Sequence, residues 1–145
     1  MSLNVITLAI NLIGDTRSMN KKFIEITSRG KKIKLNREGI ICPQNPQNSD
    51  EAPDMEFVNV ATAYIRKHYN TQKHLNHKRF TSYGLKHVYE IATGNYIPNG
   101  DFIFAMHLAR FDIVPCHDLS KNCKFNISNK MPNTDTKNEK IAMEN

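Results

Sequence analysis

Gly100-Asp101-Phe102-Ile103-Phe104-Ala105-Met106-His107-Leu108-Ala109 is nearly free of polar side chains. A helix that is apolar on every side has no face to give to water, so it is buried. Whatever this chain folds into, other segments must pack around that helix. Asn99 is placed to cap it, Asp101 stands in its first turn where a carboxylate complements the helix dipole, and it ends near Arg110.

Two further helical patterns precede it. Phe57, Val60, Ala61, Tyr64, Ile65 and His68 recur at helical spacing, with Pro53, Asp54 and Glu56 at the start and Arg66 and Lys67 at the end. Leu85, Val88, Tyr89 and Ala92 line a second helix, with Ser82 placed to cap it and Gly94 to stop it. Upstream the period changes to two. Phe23–Thr27 and Lys32–Leu35 alternate around Ser28-Arg29-Gly30, which predicts a β-hairpin with Ile24 and Ile26 across from Ile33 and Leu35. Ile113-Val114 reads as a short extended piece. The predicted fold class is α+β or mainly α: a small N-terminal hairpin, a three-helix core and a disordered C-terminal tail.

The chain has 145 residues, which allows one domain. Residues 21–118 are expected to form it, with a Pro- and Asn-rich linker at 42–54. From Phe125 onward few large apolar residues remain, so residues 119–145 are expected to be mostly a disordered tail. Residues 1–20 include an apolar run from Leu3 to Ile13, shorter than the roughly 20 residues a membrane span needs. Three readings stay open for it: a core element, a start mis-set upstream of Met19, or a targeting segment. Three cysteines, Cys42, Cys116 and Cys123, fit a reducing compartment better than a disulfide scaffold, so a cytoplasmic location is expected, with a secreted effector as the alternative.

Ser82-Tyr83-Gly84-Leu85-Lys86-His87, followed by Gly94-x-Tyr96-Ile97-x-Asn99-Gly100-x-Phe102-Ile103-x-Ala105-Met106, resembles a pattern in short, mostly uncharacterised bacterial proteins of plasmids, prophages and other mobile elements. The resemblance covers residues 79–111 and implies no catalytic residue. It departs at Arg110-Phe111, where a glycine before the aromatic residue is expected.

Charge supplies the functional cue. The net charge is +6, and Phe57 through Tyr89 contain no Asp or Glu. That window holds Arg66, Lys67, Lys73, Lys78, Arg79 and Lys86 together with His68, His74, His77 and His87. Clustered cations repel one another unless an anion lies close, and a phosphate backbone is the commonest such partner. Lys73, His77, Lys78, Arg79 and Lys86, joined by Lys31, Lys32 and Lys34 of the hairpin, are the candidate contacts to nucleic acid or to an acidic protein surface. Interleaved Tyr69, Phe80 and Tyr83 offer faces for base stacking. The bland alternatives are a solvated connector and lysines that guard a strand edge.

Other classes find little support. A helix–turn–helix over 82–110 would put an apolar helix in the reading position, with only His107 and Arg110 able to touch bases. His74-x-x-His77, Cys116-His117, Cys123 and Cys42 lack the paired short spacings of zinc sites. No phosphate loop, Gly-x-Ser-x-Gly elbow or His-Glu-x-x-His is present, so no cofactor, metal or catalytic residue is assigned.

Overall fold

The computed structural model describes residues 22–42, 50–117 and 120–130. The apolar run at 1–20, the central part of the linker at 43–49 and the tail from 131 lie outside the described residues. Strands β1 (Ile24–Ser28), β2 (Lys31–Asn36) and β3 (Gly39–Ile40) form an antiparallel sheet. Helices α1 (Met55–His68), α2 (Ser82–Thr93) and α3 (Asn99–Leu108) follow, then a two-stranded ribbon of β4 (Ile113–Pro115) and β5 (Cys123–Phe125). The architecture is α+β. No helix among the described residues is long and apolar enough to cross a membrane.

The hairpin has the predicted facing: Ile24 pairs with Leu35 and Ile26 with Ile33. The turn is tighter than expected. Ser28 belongs to β1 and pairs with Lys31, leaving Arg29 and Gly30 alone in the turn at φ +51° and +77°. Two left-handed residues match the twist of the strands they join. A third strand arises because Asn36 Oδ1 accepts the N–H groups of Glu38 (2.9 Å) and Gly39 (3.2 Å), folding the chain back at once.

Helix α3 is the centre of the molecule. From Asn99 to Leu108 only His107 is not buried. Helices α1 and α3 lie side by side in the same direction. At their N-terminal ends Asp54 N–H donates to Asp101 Oδ2 (3.1 Å), and at their C-terminal ends Arg66 donates to the Leu108 carbonyl (3.0 Å). The buried stripe of α1 is Val58, Ala61, Thr62 and Ile65. It is rotated from the expected one, leaving Val60 57% exposed. Thr62 can be buried because its hydroxyl donates to the Val58 carbonyl at 2.7 Å.

Both predicted N-caps shift by one residue. Thr81 and Pro98 occupy the cap positions, while Ser82 and Asn99 are the first helical residues. Their side chains are taken by tertiary partners instead. Ser82 Oγ accepts the Cys123 N–H (3.1 Å), and Asn99 Nδ2 donates to Glu38 O (3.0 Å) and Asn122 Oδ1 (3.0 Å). Gly94 ends α2 at φ +75°, as read from the sequence.

The departure at Arg110 has a structural counterpart. Arg110 N–H bonds the His107 carbonyl and Phe111 N–H the Met106 carbonyl, a Schellman closure of α3 with Arg110 at φ +75°. That conformation crowds a side chain's Cβ and suits glycine. Arg110→Gly is expected to raise stability by roughly 0.5–1 kcal/mol, read as a higher denaturation midpoint at unchanged m-value.

The expected disorder over 119–145 is corrected by the packing for residues 123–127, while the residues from 131 lie outside the described ones. Cys123, Phe125 and Ile127 are at most 1% exposed, and the Phe125 ring lies 6.2 Å from that of Phe102 on α3. The asparagines around them satisfy backbone groups. Asn126 accepts the Asp112 N–H (2.7 Å) and donates to the Gln72 carbonyl (2.9 Å), so a polar composition here encodes a closing strand.

Candidate functional site

The connector between α1 and α2 is pinned to the end of β5. Gln72 N–H bonds Asn126 O, Asn76 N–H bonds Phe125 O, and Asn76 Nδ2 donates to Ile127 O (2.8 Å). The hairpin tip reaches the same region: Ser28 Oγ accepts the Ile113 N–H (2.8 Å), and Arg29 pairs with Asp112 at 3.0 Å. Asp112 N–H in turn bonds Asn126. A continuous set of hydrogen bonds thus joins the tip, the β4–β5 ribbon and the connector at the end of the molecule where α1 and α3 finish.

That end is cationic. It gathers Arg29 and Lys31 from the hairpin, Arg66 and Lys67 from the last turn of α1, Arg110 after α3, and Lys73, Lys78 and Arg79 from the connector. Lys31, Lys67, Lys73, His74, His77 and Lys78 are exposed, and none makes an ion pair among the described residues. Arg79 is half-buried and donates to Asn129 Oδ1 (2.7 Å) and its carbonyl, neutral acceptors that leave its charge in place. Among the described residues Asp112 is the carboxylate at this end, and Arg29 answers it. Asp54, Glu56 and Asp101 lie in the opening turns of α1 and α3, Glu38 in the β2–β3 turn and Glu90 in the last turn of α2. Glu25 lies within β1 opposite Lys34, and Asp50 and Glu51 pair with Lys22 and Arg37, so the segregation written along the chain is kept in space in part.

Not every candidate joins this surface. Lys32 and Lys34 are exposed on the outer face of the sheet, with Lys34 opposite Glu25 and over the Phe23 ring at 5.0 Å. Lys86 is only 6% exposed: Glu90 holds its Nζ at 3.1 Å, and the rings of Tyr83 and Tyr96 flank it at 5.4 and 5.2 Å. One helical turn separates Lys86 from Glu90, so the pair forms within α2 and takes Lys86 away from the cationic end. Of the interleaved aromatics, Tyr69 is buried and Phe80 is half-buried against the core, whereas Tyr83 is half exposed. Arg29 and Arg110 were missed, and Arg66 and Lys67 stood in the carboxylate-free window but outside the candidate contacts, because only the fold brings helix ends and hairpin tip together.

Lys86 borders a cleft of about 660 Å³ that Arg37, Lys121, Tyr83 and Tyr96 also line, together with the carboxylates Glu38 and Glu51. Burial pushes the Glu90 carboxyl up, but the Ile97 N–H, Lys86 and His87 outweigh it and hold the group below the usual carboxylate range. Glu90 is thus ionised at neutral pH and neutralises Lys86. Burial raises the Cys116 and Cys123 thiols, which keeps them protonated and poorly nucleophilic. No cluster able to hold a metal ion occurs among the described residues.

Asp101, in the first turn of α3, is fully buried. Its carboxyl is pushed up to about 7 by that burial, against the pull of the Asp54 N–H and Arg37. Its Oδ1 has no hydrogen-bond partner among the described residues, and Arg37 Nε stands 3.6 Å from Oδ2. A folded-state pKa above the ordinary 3.8 means the native protein keeps a proton that the unfolded chain loses. The resulting stability is complete below pH of about 4 and drains away as pH rises through 7. Asp101→Asn keeps an acceptor for the Asp54 N–H and removes the titration. Thermal unfolding should show the variant gaining on the parent by roughly 2 kcal/mol from pH 5 to 8.

No protein-family model, curated protein or solved structure matches the chain.

Proposed function

We propose that this protein binds nucleic acid through phosphate contacts at its cationic end, with little dependence on base sequence. The observation that carries the reading is the set of exposed cations, Lys31, Lys67, Lys73 and Lys78, that make no ion pair among the described residues, at an end where the described carboxylate, Asp112, is already paired with Arg29. Lysines on a rigid, hydrogen-bonded scaffold suit a polyanion because each neutralised phosphate releases counterions. Low specificity follows from the side chains present. Lysine at a phosphate positions a protein without reading bases, and α3, the helix that would read a major groove, is enclosed in the core.

A titration of labelled DNA and RNA at two salt concentrations tests this. Affinity should fall steeply as salt rises, with the logarithmic slope set by the number of phosphates engaged. No binding to either nucleic acid at low salt would reject the reading and leave an acidic protein surface as the partner to seek by pull-down.

A further inference from the structure

The cationic end continues into α2. Lys78 and Arg79 stand just before the helix, and Tyr83 lies in its first turn. Tyr83 and Tyr96 are 50% and 65% exposed, while Tyr69 and Tyr89 are almost fully buried and Tyr64 is half-buried. The two exposed tyrosines come from different segments, one on α2 and one in the turn after it, yet both line the same cleft and flank the same buried ammonium. Tyr96 is braced edge-on by Phe57 at 6.4 Å, and Tyr83 sits against His87 at 4.5 Å. They are thus held in place rather than loose on the surface. The ammonium between them is neutralised by Glu90, and Glu38 and Glu51 also line the cleft, so the pair offers its ring faces and not a positive charge.

Building on the nucleic-acid reading, we infer that the strand it holds is single-stranded, with bases of that strand stacking on Tyr83 and Tyr96 while the neighbouring phosphates lie against Lys78 and Arg79. A duplex hides the faces of its bases inside the stack, so it can use the cations and not the rings. A single strand can use both.

The test uses the full chain and a fluorescein-labelled oligothymidylate of about 12 nucleotides, beside a duplex of equal length. At equal salt the strand should bind more tightly than the duplex. Tyr83→Ala and Tyr96→Ala should each weaken strand binding about tenfold, leave duplex binding unchanged and leave the salt slope intact. Tyr→Phe at either position should restore the affinity, because the ring face is kept. Removing a ring uncovers Lys86, so a purely electrostatic site would bind the same or slightly tighter, and the predicted loss is diagnostic. The chain has no tryptophan, so quenching of tyrosine emission by the strand gives a second measure on the unaltered protein. Strand affinity within twofold of the parent in both alanine variants, with no quenching, would overturn the stacking inference while the phosphate reading stood. Failure of strand and duplex alike to bind would overturn both.

Discussion

Gly100→Ala is expected to be the most destabilising conservative substitution in the described part of the protein, at roughly 3–5 kcal/mol. Gly100 opens α3 where the β2–β3 turn lies across it. Its N–H donates to the Arg37 carbonyl at 2.9 Å, and a Cβ there would overlap the Asn36 carbonyl oxygen. The obstacle is backbone, which cannot rotate away as a side chain tip can. The Asn36 side chain holds that turn through Glu38 and Gly39, so moving it also disturbs β3. Relief would require α3 to withdraw from the sheet, opening space in a core packed to near-crystalline density. Thermal unfolding should show a fall of roughly 10–25 °C. Gly94→Ala is the control. It faces open space at φ +75°, so it should cost only about 1 kcal/mol. Equal costs at the two sites would mean that the close approach at Gly100 is absent in solution.

Reversing Lys31, Lys73 and Lys78 to Glu together is expected to weaken nucleic-acid binding by at least about 100-fold near 0.1 M salt. The slope of log affinity against log salt should become shallower by about three, because each lysine lost is one phosphate left un-neutralised. All three side chains are exposed and unpaired among the described residues, so the change should leave stability within about 0.5 kcal/mol. The combination crosses two distant parts of the sequence, the hairpin and the connector. If Lys31→Glu alone has no effect while the connector pair accounts for all of the loss, the hairpin tip is not part of the interface.

Much of the fold was legible because it rests on short-range rules. The period-two pattern and Arg29-Gly30 specify the hairpin, the apolar residues of 100–109 specify a buried helix, and Gly94 specifies where α2 stops. Arg110 takes the left-handed conformation after α3, and no short-range rule marks an arginine for it. The failures share a cause. Ser82, Asn99 and Asn126 are residues whose local preferences point to caps and loops, yet each spends its side chain on a distant backbone group. The composition around Phe125 predicts a tail because its neighbours are Asn, Lys and Ser. The alternation of Cys123, Phe125 and Ile127 was present, but three apolar residues in a polar background outweigh composition only once β4 and Phe102 are there to receive them.

The same division runs through the candidate site. The run without Asp or Glu from Phe57 to Tyr89 is a property of the chain, and it determined that some surface would be cationic. Which surface, and which cations, was decided by tertiary structure. The parallel arrangement of α1 and α3 sends their acidic first turns to one end and their basic termini to the other, and the ribbon then draws the hairpin tip and the connector to the basic end. Lys86, inside the same run, was withdrawn by Glu90 and two tyrosines. Charge along a sequence is additive and can be read directly. Charge on a surface depends on which groups are desolvated and paired, and that depends on contacts between residues far apart in the chain.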